Sequence, residues 1–344
     1  MPTNVAIACQ GGGSHTAFTA GVLRTVVPWL EERDARLVGL SGTSGGAVSA
    51  LAAWYGYLEA GPEGAVETLD AIWTDIAACN WYEEWVNDLV VWGMELHYGT
   101  MPSPTFSPYD SPLSKAGERE LRAVLETHVE FDRIPELAGG DCPRLIVGAV
   151  DVNAGEFETF TNGNVTCKSI LASTAVPNLF RAVEIDGHYH WDGLLSQNPP
   201  IKDLMRTAPV RKPDELWVVQ INPQTYEGEP RRLQDIVDRR NELAGNISLN
   251  QELRFVETVN RWLEQGHLPE SEYSHTEIRR IMLDQDLSYT SKLDRDPEFI
   301  EGLVASGVDA AEEFLENLTL GEHEHDVQNG TAHNRDARPE STYD

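Results

Sequence analysis

The chain has few of the features that mark a secreted, membrane-spanning or disulfide-stabilised protein. Four cysteines occur among 344 residues, and their spacing matches neither a metal site nor a redox motif (Cys9, Cys79, Cys142, Cys167). No uninterrupted apolar run is long enough to cross a bilayer. No basic segment followed by an apolar one is visible at the start, so no signal peptide is predicted. We therefore expect a cytoplasmic protein with free, buried thiols.

Basic residues are also scarce, and lysine most of all. Lysine and arginine together number 26 against 56 acidic residues, which gives a net charge of −30. A nucleic-acid partner is disfavoured, because no basic stripe exists to displace counterions from a polyanion. Such a surface repels itself in dilute buffer and is screened at molar salt. We interpret this composition as that of a halophilic cytosol.

The stretch around Ser44 has the pattern of a nucleophile elbow. A short apolar strand at 37–40 leads into Gly42-Thr-Ser-Gly-Gly46, and a small-residue helix follows. A sharp turn from strand to helix lifts a serine hydroxyl clear of the sheet. Glycines on both sides allow backbone angles that a Cβ would forbid. A plain Gly/Ser turn between two elements is the alternative.

Two consecutive strand–loop–helix units at the start of the chain predict an α/β fold. The first has a strand at 5–9, a glycine loop and a helix at 14–30; the second covers 37–60. Successive units of this kind place their strands parallel in a doubly wound sheet. The pattern further predicts strands at 144–151, 156–160, 216–221 and 278–283, a ribbon at 182–190, and helices at 115–128, 167–176 and 231–264.

The segment 65–113 departs from this alternation. Its apolar residues recur every three or four positions: Trp81, Trp85, Leu89, Trp92 and Leu96. This spacing predicts an amphipathic helix. The helix either packs on the core or forms a lid or acyl-binding wall over Ser44, since long connections in α/β enzymes often carry function.

Three ordered blocks resemble the patatin-like phospholipase family: Gly11–Gly13 after the first strand, the elbow at 42–46, and Asp192-Gly193. The segments Ser173-Thr-Ala-Val-Pro177 and Asn198-Pro199 are similar to that family as well. The resemblance covers about residues 4–222 and implies a three-layer α/β/α fold with a central, mostly parallel sheet. We expect one acyl hydrolase domain at 1–320, with a helical C-terminal part at 223–320. Residues 321–344 are polar and charged and predict a disordered tail.

The resemblance implies a Ser–Asp dyad in which Ser44 is the nucleophile and Asp192 accepts and returns its proton. It also implies an oxyanion hole of backbone amides, from Gly11, Gly12, Gly13 and Gly45. A carboxylate with an ordinary pKa of about 4 is a weak base, so the site must desolvate Asp192. No metal or cofactor is expected, because the glycine loop already stabilises the developing charge.

Two positions depart from the family pattern. His15-Thr16 stands where the family usually has Arg or Lys followed by Gly, which weakens a phosphate-binding role there. Leu194 replaces the small residue that usually follows Asp-Gly, which puts the geometry of Asp192 in question.

Other interpretations stay open. A Ser–Asp–His hydrolase would need a late histidine, and His267 and His275 are available. The loop at 11–16 resembles a dinucleotide fingerprint that lacks its third glycine. His188 and His190 point to one face of a strand and could bind a metal, but no third ligand is evident. A non-enzymatic protein that binds granule or lipid surfaces is a further alternative.

The resemblance also implies an acyl ester as substrate. A phospholipase, lysophospholipase or acylglycerol lipase is one interpretation. An archaeal halophile as the source would argue against a phospholipase. Archaeal membrane lipids are ether-linked and therefore offer no acyl ester to hydrolyse. An intracellular storage polyester, polyhydroxyalkanoate, then fits as the water-insoluble ester, and the enzyme would act at a granule or lipid surface. The oligomeric state is not predicted.

The net charge leads to a prediction about salt. We expect folding and activity to rise with KCl from about 0.1 M to molar concentrations, because ions screen the repulsion among acidic groups. Thermal unfolding followed by circular dichroism, and ester turnover at each concentration, measure this. Sucrose at equal osmolality is the control for general solute effects. Full turnover and the highest melting temperature in dilute buffer would contradict the halophile interpretation.

Overall fold

The computed structural model describes residues 2–33, 35–77, 107–177, 179–205, 212–285, 287–288 and 290–333. At positions 113, 195 and 234, and from 320 onward, it describes the backbone alone. The segment at 81–96, predicted to be a core helix or a lid, lies outside the described residues, as does Cys79.

A single sheet organises the described residues. Its strands are β1 Asn4–Cys9, β2 Arg36–Thr43, β3 Arg144–Asp151, β4 Glu156–Thr161, β5 Val183–Ile185, β6 His188–Asp192, β7 Glu215–Gln220 and β8 Glu277–Met282. They follow the order β5-β6-β3-β2-β1-β7-β8, and β4 pairs with β3 off this path. The pairs β3–β2, β2–β1, β1–β7 and β7–β8 are parallel, whereas β4, β5 and β6 pair antiparallel. The mostly parallel sheet is as predicted.

Alternate side chains of β1 enter two cores, one on each face of the sheet. Val5, Ile7 and Cys9 belong to the larger core, and Ala6 and Ala8 belong to the smaller one. A strand buried on both faces needs apolar residues at every position. This is why the strand reads as a continuous apolar run in the sequence.

Helices cover both faces of the sheet and complete the predicted three layers. Their bounds are α1 Ala17–Glu32, α2 Gly45–Ile76, α3 Pro112–His128, α4 Ile134–Leu137, α5 Cys167–Ser173, α6 Lys202–Met205, α7 Leu233–Glu264 and α8 Pro297–His333. Helices α1, α2, α5 and α8 contribute to the larger core, and α6 and α7 to the smaller. The helices predicted at 115–128, 167–176 and 231–264 are confirmed. Within the described residues, no helix combines the length and apolar character needed to cross a membrane.

Two helices differ from their predictions. Helix α2 continues past Gly61, where an end was predicted, but Ala60 and Gly61 have non-helical backbone angles, so two helices meet there. Helix α8 extends to His333, although the chain from residue 321 was predicted to be disordered. An existing helix grows by one hydrogen bond per residue without a new nucleation step. A polar sequence can therefore continue a helix that it would not start.

Strand β3 changes partner along its length, and this change positions the site. Through Gly148 it pairs with β2, and Gly148 lies opposite Thr43, the last residue of that strand. From Ala149 it pairs with β6, and Ala149 lies opposite Asp192. Since β4 occupies the other side of β3 along both stretches, β2 and β6 lie end to end on the same side. Asp192 therefore comes directly beside the end of β2, where Ser44 follows.

Candidate active site

Ser44 occupies the turn between β2 and α2. Its backbone angles are φ 57° and ψ −133°, and a positive φ is uncommon for a residue with a Cβ. The turn is held from outside, because the Ser44 amide donates to Ser173 Oγ at 2.9 Å and Ser173 is fully buried at the end of α5. Surroundings that over-determine a conformation allow such strain to persist. The geometry is that of a nucleophile elbow.

Asp192 ends β6 as a fully buried carboxylate beside the elbow. Its amide donates to the Ala175 carbonyl at 3.0 Å, and its Oδ1 accepts the Leu194 amide at 2.8 Å. Because the contact at residue 194 is a backbone one, the leucine side chain there does not disturb it. Oδ2 has no well-formed hydrogen bond to any described residue. It is thus the oxygen left to receive a proton.

Burial raises the pKa of Asp192 to about 7. The Leu194 amide and the Ser44 hydroxyl stabilise the charged form and oppose this rise. A base works best when its pKa is close to the working pH. The desolvation that the sequence analysis required of Asp192 is therefore present, and its cause is the complete enclosure of the carboxylate.

The glycine loop packs directly against the elbow. A Cβ on Gly11 would lie 2.5 Å from the Thr43 carbonyl oxygen and 2.8 Å from Ser44 Cβ, so a larger residue does not fit. Gly13 has φ +60° and begins a short 3-10 turn, Gly13–Thr16. The first amides of a helical turn have no partner within it. They are suited to bind an anion.

One member of the predicted oxyanion hole has another role. The Gly11 amide donates to Asn198 Oδ1 at 2.6 Å, and Asn198 Nδ2 donates back to the Gly11 carbonyl at 3.4 Å. A donor engaged in this way is not available to an oxyanion, so Gly11 serves to hold the loop. Within the described residues, the amides of Gly12 and Gly13 make no turn or side-chain hydrogen bond. With Gly45, they remain the predicted donors.

Buried amide side chains that the sequence analysis missed secure this loop. Gln10 Oε1 accepts the amides of Ile221 and Asn222, both at 2.9 Å, and its Nε2 donates to Asn246 Oδ1 at 3.0 Å. Together with Asn198, these contacts join the glycine loop to the end of β7 and to α7. An isolated Gln or Asn has no spacing signature, so only the structure reveals this group.

A pocket adjoins Ser44 and the glycine loop. Its remaining walls consist of Val176, Leu179, Leu194, Asn222, Asn241, Lys292 and Leu293. Lys292 was not predicted, since it stands alone in the sequence far from every motif. Its ammonium donates to Asn222 Oδ1 at 3.1 Å and lies 3.7 Å from Asp238 Oδ1. Burial lowers the pKa of Lys292, and Asp238 opposes this. The pocket therefore combines an apolar wall with polar groups near the serine.

His15 supplies no positive charge in place of the missing Arg or Lys. Its side chain is buried, and its Nε2 lies 2.8 Å from Ser291 Oγ. Burial and, to a lesser extent, the nearby Lys292 lower the pKa of His15 to about 3. The imidazole is therefore neutral near pH 7, so this departure from the family pattern removes a cation next to the glycine loop.

The other histidines considered in the sequence do not reach the pocket. Neither His267 nor His275 is among its lining residues. His275 is exposed and lies 3.7 Å from Glu264. His188 and His190 each contact a carboxylate outside the pocket. The geometry thus favours the pair of Ser44 and Asp192 over a triad with a late histidine.

A serine at a strained elbow beside a buried carboxylate and a glycine loop is an arrangement suited to acyl transfer. The family model for patatin-like phospholipases matches residues 7–205, which is more than half of the chain. The chain therefore belongs to the patatin-like phospholipase family. Its members are lipid acyl hydrolases, so the predicted class, a carboxylic ester hydrolase, is confirmed.

Several solved structures are similar to this chain. VipD from Legionella pneumophila is 15% identical, with 92% of this chain and 67% of that chain covered and a TM-score of 0.44. The type III effector ExoU is 15% identical, with 92% and 53% covered and a TM-score of 0.32. ExoU in complex with SpcU, from Pseudomonas aeruginosa, is 14% identical, with 95% and 64% covered and a TM-score of 0.30. The chain thus spans about half to two thirds of these chains. No curated protein matches it significantly.

The raised pKa of Asp192 predicts the pH dependence of the reaction. Because a base must be ionised to accept a proton, kcat/KM should fall about tenfold per pH unit below pH 7 and level off above it. A pH profile with a soluble p-nitrophenyl ester at constant salt measures this, with circular dichroism at each pH to confirm folding. His15, with a pKa of about 3, cannot produce such a limb. A flat profile down to pH 5 would contradict a desolvated Asp192 as base.

Proposed function

We propose that this protein is a serine hydrolase in which Ser44 and Asp192 act as a catalytic dyad on a water-insoluble carboxylic ester. The observation that supports this most is the burial of Asp192 beside the Ser44 elbow, where the end of β6 meets the end of β2. A carboxylate enclosed in this way is a stronger base than one in water.

In the first half of the reaction, Asp192 Oδ2 accepts the proton of the Ser44 hydroxyl. Ser44 Oγ attacks the ester carbonyl carbon, and the carbonyl oxygen becomes an oxyanion. As this intermediate collapses, the bond to the alcohol oxygen breaks, and Asp192 returns the proton to the departing alkoxide. The alcohol leaves, and the acyl group stays on Ser44 as an ester.

In the second half, Asp192 accepts a proton from water, and the resulting hydroxide attacks the acyl-serine. The carboxylic acid leaves, and the proton returns to Ser44 Oγ. In both halves the oxyanion is held by the amides of Gly12, Gly13 and Gly45. Losing one such donor typically costs about a hundredfold or more in rate. Asn198 and Ser173 contribute by holding the glycine loop and the elbow in place.

The dyad predicts the behaviour of two variants. Ser44→Ala and Asp192→Asn should each lower kcat about 10⁴-fold or more, and the double variant should lose little beyond either one, because the two groups act as a unit. Single-turnover kinetics and organophosphonate labelling, which should modify Ser44 stoichiometrically, measure this. His275→Gln is the matched control for a late histidine. Near-wild-type turnover by Asp192→Asn, or labelling of another serine, would contradict the assignment.

We further propose that the enzyme works at the surface of its substrate. Helix α7 carries large apolar side chains that are 40–58% exposed: Leu233, Ile236, Leu243, Ile247, Phe255 and Trp262. At 100° per residue they fall within a sector of about 120° on the side away from the core. The opposite side of the same helix packs on the sheet through Leu249, Leu253 and Val256. Exposed apolar stripes of this kind mark contact surfaces.

The stripe lies close to the reaction centre. Asn241 of α7 lines the Ser44 pocket, and a Cβ on Gly245 would lie 3.0 Å from Asn198 Nδ2. Contact between the stripe and an insoluble ester would therefore bring the ester to the pocket. The net charge of −30 disfavours anionic lipid surfaces. A neutral polymer surface is the better match.

For these reasons we favour an intracellular storage polyester, polyhydroxyalkanoate, as the ester, with the protein bound to granules in the cytoplasm. The neutral His15 supports the polyester over a phospholipid, because it offers no positive charge to bind the phosphate of a lipid headgroup. A phospholipase, lysophospholipase or acylglycerol lipase is the alternative, since the family acts on lipid esters and Lys292 lines the pocket. We also propose that residues 1–320 form the hydrolase domain.

The surface proposal predicts a selective defect. Leu243→Glu combined with Ile247→Glu should lower turnover of amorphous polyhydroxybutyrate about tenfold. The reason is that two apolar side chains that the polymer surface would partly bury are lost. Turnover of soluble p-nitrophenyl butyrate should not change. Both substrates, and phosphatidylcholine vesicles, are assayed side by side at high salt.

Met282→Glu is the matched control, because Met282 is 48% exposed but belongs to β8 and not to α7. Equal losses on the soluble ester and the polymer would contradict the role of α7. Faster turnover of phosphatidylcholine than of the polyester would contradict the polyester as substrate and favour the phospholipase alternative.

A further inference from the structure

Outside the Ser44 pocket, three potential metal ligands converge on the antiparallel part of the sheet. Asp151, Glu158 and His190 each offer one ligand atom, and these atoms all lie within 4.8 Å of one another. We call these three residues the hairpin cluster. His188 is next to it, with its Nδ1 2.6 Å from Asp151 Oδ2. Asp151 and Glu158 are therefore candidate ligands beside His190 that the sequence did not show.

Strand register gathers the cluster on one face. His190 of β6 lies opposite Asp151 of β3, and Glu158 of β4 lies opposite Ala149, two residues before Asp151. Side chains two apart on a strand share a face, and His188 precedes His190 by two. The strands β4, β3 and β6 thus each contribute to the cluster. No spacing in the sequence predicts the cluster, because its residues come from separate strands.

The cluster residues are held in place before any ion binds. Asp151 Oδ1 accepts the amides of Asn153 and Ala154 at 2.8 and 2.9 Å, which leaves Oδ2 directed to the cluster. Ligands oriented by second contacts are typical of metal sites.

His190 provides an independent observation. Its side chain is only 2% exposed, its Nε2 lies 2.6 Å from Glu158 Oε2, and its Nδ1 has no hydrogen-bond partner among the described residues. The ring packs edge-on against Phe160, with centroids 5.9 Å apart. Nε2 is therefore the ring nitrogen that this buried imidazole presents to the cluster, and its neighbour there is a carboxylate.

We propose that the hairpin cluster binds a divalent transition metal, with Zn²⁺ preferred, through one atom each of Asp151, Glu158 and His190. Imidazole together with carboxylate suits Zn²⁺, whereas Ca²⁺ and Mg²⁺ favour all-oxygen sites. Zn–N and Zn–O distances are about 2.0 to 2.2 Å. Small side-chain rotations of the three residues, with the ion replacing the proton shared between His190 and Glu158 in their 2.6 Å contact, would reach this geometry.

The role of the ion follows from its position. It would join β3, β4 and β6. Strand β6 ends at Asp192, two residues after the cluster residue His190. None of the three cluster residues lines the Ser44 pocket, so the ion would stabilise the strand that carries Asp192 without taking part in hydrolysis. The metal-site proposal is independent of the proposed substrate, because the metal ligands are separate from the dyad and from the α7 stripe. Either proposal can fail while the other holds.

Zinc titration of the metal-free full-length protein tests the site. We expect calorimetry to show a zinc-binding event that calcium and magnesium do not reproduce, and expect zinc to raise the melting temperature. Glu158→Gln should weaken zinc binding about a hundredfold and remove the shift in melting temperature. Glu158 is half-exposed, so this variant should fold. X-ray absorption of the zinc complex should show imidazole nitrogen together with carboxylate oxygen ligands.

His128→Gln is the matched control. His128 also lies 2.6 Å from a carboxylate, Asp75 Oδ2, but belongs to no three-ligand cluster of the described residues. It should leave zinc binding unchanged. Soluble-ester turnover below the melting temperature should survive EDTA at constant ionic strength. Equal zinc affinity in Glu158→Gln and wild type would overturn the site. Loss of turnover in EDTA that zinc restores would overturn its non-catalytic role.

Discussion

The geometry of the active site depends on one change of partner in the sheet. Strand β3 pairs with β2 as far as Gly148 and with β6 from Ala149 onward, so the ends of β2 and β6 meet. Ser44 follows one end, and Asp192 is the other. Hydrogen bonds along β3 therefore set the separation of Ser44 and Asp192, the proposed nucleophile and base. Neither side chain needs a flexible loop to reach the other, which limits the entropy lost on assembling the pair.

Burial of polar groups is the second requirement of the site. Asp192 gains basicity because it is fully enclosed, and the same enclosure makes every unpaired polar group around it costly. Buried amide and hydroxyl side chains answer this need: Gln10, Asn198 and Asn246 hold the glycine loop, and Ser173 holds the elbow. Because Asn198 engages the Gly11 amide, the proposed oxyanion donors are those of Gly12, Gly13 and Gly45. The scaffold thus determines which amides of the glycine loop are left without a protein partner among the described residues.

The surface shows an unusual combination of properties. The chain carries a net charge of −30, yet α7 exposes an apolar stripe on the side away from the core. Charge of one sign keeps the protein dispersed and disfavours polyanionic partners. On the proposal that α7 is a contact surface, an apolar stripe in such surroundings would select apolar surfaces with little charge of their own. Charge repulsion and the proposed surface binding can coexist in one molecule, because they depend on different parts of the surface.

Sequence alone determined the elements whose signals are local. Apolar runs predict the buried strands, glycine spacing predicts the elbow at Ser44, and ordered motifs indicate the family and Asp192. Tertiary structure decided what depends on contacts between distant segments. The engagement of Gly11 by Asn198, the place of Lys292 in the pocket and the hairpin cluster each join residues from separate elements. Strand register and burial create these contacts, and neither leaves a periodic pattern in the chain.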